Sequence, residues 1–100
     1  YGHYRSPYLG RLAAQLGLKT GVVSTSDSLD ANEQDLQILR AEGVSVKEME
    51  AAAVAWTCQQ VRVPFVAVKS ITDLVDGGVA TADEFYENLH CASEELQKKL

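Results

Sequence analysis

An α/β layered fold with a mainly parallel sheet is the architecture this sequence predicts, and three observations carry that prediction. Helix-like and strand-like apolar periods alternate along the chain. One strand-like segment, "PFVAVKSIT", is nearly continuous in apolar and β-branched residues, as suits a strand covered on both faces. Polar clusters follow the strand-like segments, which is where open α/β sheets hold ligands.

Each element has its own local signal. Ser6 to Leu16 carries Leu9, Leu12, Ala13 and Leu16 at helical spacing, with Gly17 able to end the helix. Thr20 to Thr25, containing Val22 and Val23, reads as a strand. Asp30 and Glu33 have the spacing of a capping box for a helix with Leu36 and Leu39 inward, stopping near Gly43. Val44 to Lys47 reads as a second strand, followed by a helix from about Met49 to Val61. Pro64 opens the third strand, and Asp76–Gly77–Gly78 has turn chemistry. Thr81 then starts a final helix whose inner face is marked by Phe85, Leu89 and Leu96. The first and last of three strands need neighbours, and the chain does not begin with Met. It is therefore expected to be part of a larger domain.

Composition narrows the partners. The chain has 100 residues, 46% of them hydrophobic and 23% charged, with two prolines, so one globular domain at most is expected. A formal charge of −5 argues against nucleic acid or an anionic membrane surface. No apolar run approaches the ~20 residues of a spanning helix, and "YGHYRSPYLGR" lacks the apolar core of a secretory signal. Cys58 and Cys91, far apart and in helical pattern, read as buried reduced thiols of a cytosolic protein.

Three polar clusters are candidates for chemistry: "STSDSLD" (24 to 30), "KEME" (47 to 50) and "SITDLVDGG" (70 to 78). Ser45 with Glu48 also has capping-box spacing, so part of "KEME" has a purely structural reading. Glu50 is harder to explain that way, because it stands where "AAAVAW" should already be packing. A carboxylate there can present two oxygens to the paired hydroxyls of a ribose, and Met49 offers an adaptable apolar surface to a sugar face. Asp73, taken alone, reads as a turn or N-cap aspartate. Its emergence from a buried strand also gives it the partly apolar setting that suits a general acid. Lys69, inside a central strand, is expected to pair with Glu48 or Glu50. His3 and His90 read as surface positions. The spacing of a metal site, a Ser/His/Asp triad or a glycine-rich phosphate loop is not found, so no metal or cofactor is expected.

Read together, "VVSTSDSLD", "KEMEAAAVA" and "VKSITDLVDG" resemble the C-terminal half of the 5'-methylthioadenosine/S-adenosylhomocysteine nucleosidases, plant-type branch, in the nucleoside phosphorylase superfamily. The resemblance covers roughly Lys19 to Leu100. It implies a three-layer α/β/α fold with a mixed, mainly parallel sheet, whose N-terminal half lies outside this chain. It further implies that Asp73 is the acid at adenine N7, Glu50 the ribose ligand and Met49 the residue packed on the sugar. Lys47 and Glu48 complete the binding block, and Leu29 touches the purine. Ser26 stands where the family usually has glycine. A cytoplasmic homodimer acting on a small nucleoside in methionine salvage is the expectation for the full-length protein. A purine nucleoside phosphorylase and a non-catalytic storage-type relative are the alternatives.

Overall fold

The computed structural model describes residues 3–75 and 81–100, so the expected turn at Asp76–Gly77–Gly78 lies outside the described residues. Its elements are α1 (Leu9–Leu16), β1 (Val22–Thr25), α2 (Glu33–Ala41), β2 (Val44–Glu48), α3 (Ala51–Gln60) and α4 (Thr81–Lys99). β1 and β2 pair in parallel, Val23 beside Val46 and Thr25 beside Glu48. The two strand C-termini therefore end side by side. This is the edge on which the polar clusters gather.

Boundaries moved for identifiable reasons. α1 begins at Leu9 rather than Ser6, because a residue before proline is disfavoured in the helical region and Pro7 follows Ser6. It ends at Gly17 as expected, with φ of 63° and the cap N–H bonded back to Ala13. The capping box of α2 uses Asn32 and Asp35, not Asp30 and Glu33. Asp30 is outside the helix, its carbonyl accepting from Ser28 Oγ at 2.7 Å, while the first helical bond runs from Leu36 N to Asn32 O at 3.0 Å. Leu36 and Leu39 are half-buried, as their spacing predicted.

Two expectations fail. The segment from Pro64 to Thr72 forms no strand and joins no ladder among the described residues. Its Phe65 N–H donates instead to the Tyr4 hydroxyl at 2.7 Å, and the two rings pack with centroids 5.9 Å apart. An apolar run becomes a strand only where a neighbouring backbone takes its N–H and C=O groups, and no described element does so here. On α4, Phe85 and Leu96 are half-buried and Ala92 is buried, but Leu89 is exposed. The helix turns its Asn88, Cys91 and Ala92 side toward residues 71–74, which leaves Leu89 at the margin.

Burial is shallow throughout. Among the described residues Ala55 and Ala92 are the buried hydrophobic ones, and no large side chain is fully enclosed. Cys58 and Cys91 are both free thiols, but half-buried and exposed respectively, rather than the buried pair expected. No helix among the described residues is long and apolar enough to cross a membrane.

Candidate active site

The site begins at the C-terminal ends of β1 and β2. Glu48 is the last residue of β2, and its carboxylate holds the junction with α3 together. Glu48 Oε2 accepts from Glu50 N at 3.0 Å and Ala51 N at 2.8 Å. Oε1 accepts from the Thr25 hydroxyl at the end of β1, and Lys69 Nζ lies 2.8 Å from Oε2. Thr25 Oγ1 in turn accepts from Ala52 N at 3.0 Å. Two side chains thus satisfy the first N–H groups of α3, which a helix start leaves open.

Ser45 takes no part in this cap, contrary to its spacing. It lies within β2, and α3 starts two residues later than the apolar pattern suggested. Glu48 reaches forward and caps from outside the helix. Its side chain is only 10% exposed. Burial opposes its ionisation, but hydrogen bonds from Lys69, Thr25 and the N–H groups of Glu50 and Ala51 outweigh that, lowering its pKa from 4.5 to about 2. Of the two partners considered for Lys69, Glu48 is the one it meets.

With Glu48 occupied, Glu50 is directed outward. It is the N-cap residue of α3 by position, yet its side chain makes no cap bond. It is exposed and lines a cleft of about 640 Å³ that also takes in Leu29, Lys47, Met49 and Asp73. All six residues singled out in the sequence border this one cleft. Met49 is 41% and Leu29 50% exposed there, so both have apolar surface to offer a ligand. Asp73 is half-buried, and its Oδ1 accepts from the neighbouring Thr72 hydroxyl. A cleft with apolar walls and a few convergent polar groups is the usual form of a small-molecule site.

Some contributors were not anticipated. Leu36, Leu39 and Phe85 form apolar wall; their helical spacing marked them as inward-facing but gave no sign that inward meant toward a cleft. Thr25 was visible only as one polar residue in a polar cluster. Its role needs the parallel register that sets it beside Glu48. Lys47 also differs from expectation: its Nζ donates to the carbonyls of Ser28 and, at 3.2 Å, Leu29. His3 and His90 are exposed. No group of three or more potential metal ligands is assembled among the described residues.

Comparison with known proteins bears on this geometry. The Phosphorylase superfamily family model matches residues 6–100. The 5'-methylthioadenosine/S-adenosylhomocysteine nucleosidase of Arabidopsis thaliana is 40% identical over 89 residues, 89% of this chain and 35% of that protein. The 5'-methylthioadenosine nucleosidase of the same organism is 43% identical over 86 residues, 86% of this chain and 32% of that protein. Among solved structures, apo Arabidopsis thaliana 5'-methylthioadenosine nucleosidase superposes with a TM-score of 0.83 at 41% identity, over 90% of this chain and 37% of that one. An MTA/SAH nucleosidase crystal structure gives 0.80 at 37% identity, over 99% and 41%. The chain thus spans about a third of the length of these two curated relatives.

Proposed function

The chain belongs to the phosphorylase superfamily, and from that premise we propose that it forms the base- and ribose-binding side of a nucleosidase hydrolysing 5'-methylthioadenosine. The observation that carries the reading is that Glu50 and Asp73, 23 positions apart in sequence, line one cleft with Leu29 and Met49. The names of the matched relatives support the same reaction class.

In this reading Asp73 donates a proton to adenine N7, so that the base leaves as a neutral purine. Electron density withdraws from the glycosidic bond and the ribose gains oxocarbenium character. Glu50 holds the two ribose hydroxyls, and Met49 packs on the sugar face. Water adds to the anomeric carbon and loses a proton, giving adenine and 5-methylthioribose. An acid placed in this way contributes ~10²–10⁴ in rate, and holding the sugar in orientation contributes further. The group that receives the water's proton belongs to an N-terminal half of the domain outside this chain. The full-length protein is proposed to work as a cytoplasmic homodimer in methionine salvage, with S-adenosylhomocysteine as a second substrate.

The test is Asp73→Asn in the full-length protein, assayed for adenine release. Turnover is expected to fall by at least ~10²-fold while nucleoside binding stays measurable. Normal turnover in this variant would remove Asp73 from the acid role. Omitting phosphate from the assay separates the phosphorylase alternative, which needs it for turnover.

A further inference from the structure

We propose that Lys47 is a positioning residue, which fixes Leu29 against the nucleobase by clamping the loop between β1 and α2. The proposal rests on the nucleosidase reading for its substrate, but the clamp itself stands on the geometry of this chain. In the parallel register Lys47 lies beside Ser24. The loop leaving β1 at Thr25 therefore passes across the end of β2, within reach of a lysine side chain. The ammonium meets two successive carbonyls there, those of Ser28 and Leu29.

Neither carbonyl is taken up by regular secondary structure. α2 does not begin until Glu33, so neither belongs to its hydrogen-bond ladder, and Leu29 itself is half exposed at the cleft wall. The loop's remaining internal bonds are neutral. Ser26 Oγ donates to the Ser28 carbonyl at 3.3 Å, and Ser28 Oγ donates to the Asp30 carbonyl at 2.7 Å. Lys47 supplies the only charged donor among these contacts, and charge-assisted hydrogen bonds are roughly twice as strong as neutral ones. Two of the ammonium's three N–H groups are thereby engaged by backbone oxygens. Lys47 acts on substrate through Leu29.

The experiment compares Lys47→Met and Lys47→Arg with wild type in the full-length protein, by 5'-methylthioadenosine kinetics and by amide hydrogen exchange without ligand. Lys47→Met is expected to raise KM about tenfold with kcat changed less than about threefold. It should also speed exchange at residues 27–31 about tenfold, with α3 unaffected. Lys47→Arg keeps a charged donor and should return both readouts to within about threefold of wild type. Unchanged exchange in Lys47→Met overturns the clamp, and with a raised KM it assigns the ammonium to direct ligand contact. Faster exchange with an unchanged KM overturns the positioning role, as does an arginine variant as impaired as methionine. Wild-type protein that releases no adenine would sink the nucleosidase reading alone, and the exchange comparison would still decide the clamp.

Discussion

Both oxygens of the Glu48 carboxylate are occupied by donors from three parts of the chain: Thr25 on β1, the start of α3, and Lys69. Its pKa is lowered from 4.5 to about 2, so its contribution to stability is complete above about pH 4.5. That contribution is lost as pH falls through about 2. Glu48→Gln is expected to cost ~1.5–3 kcal/mol at neutral pH, the range for a hydrogen bond to a charged group. The variant should also lose part of the wild-type pH dependence between about 4.5 and 2. Urea unfolding across that window reads both effects; parallel wild-type and variant profiles would contradict the assignment. Glu50 has the opposite environment, exposed and without a cap bond. Glu50→Ala is therefore expected to be nearly neutral for stability, within ~0.5 kcal/mol, yet to weaken ribonucleoside binding at least ~10-fold through unpaired hydroxyls. Equal affinity in calorimetry would count against the ribose role. The sequence distinguished these two acids only partly. It marked one as a cap and one as misplaced, but paired the cap with Ser45, because spacing does not show that Ser45 points along a strand.

Helices with clear apolar stripes and a start or stop residue were legible as elements: α1 with Gly17, α2 with Leu36 and Leu39, α4 from Thr81. Their first residues were less so, since "DANEQD" offers two overlapping capping frames and local spacing cannot choose between them. The third strand failed for a different reason. Strand character is a property of a pair, and "PFVAVKSIT" has no described partner to bond. Where a pair does form, its closeness can be tested. A Cβ added at Gly21 would lie 2.8 Å from Ser45 Cβ and 2.7 Å from its Oγ. The hydroxyl can rotate away but the Cβ cannot. Gly21→Ala is expected to destabilise by ~1–3 kcal/mol, and Ser45→Gly in the same chain should recover most of the loss. Additive denaturation midpoints for the two changes would show that the close approach to Ser45 is not the source of the loss.

At the scale of the molecule, the polar clusters were informative because a parallel sheet gathers its loops at one edge. The cleft followed from that topology and needed no single strong motif. Depth of burial was not legible. Apolar periodicity predicts which face turns inward, but Trp56 and Tyr86 remain 64% and 76% exposed. Under the proposed function, such surfaces meet the remainder of the nucleosidase domain. The proposed function requires one nucleoside to reach both Glu50 and Asp73, which line the same cleft. A crystal structure of the full-length protein with a non-hydrolysable 5'-methylthioadenosine analogue measures this directly. It should place the purine N7 within ~3.2 Å of an Asp73 oxygen and both ribose hydroxyls on Glu50. A ligand seated elsewhere, or one reaching only one of these two carboxylates, would contradict it.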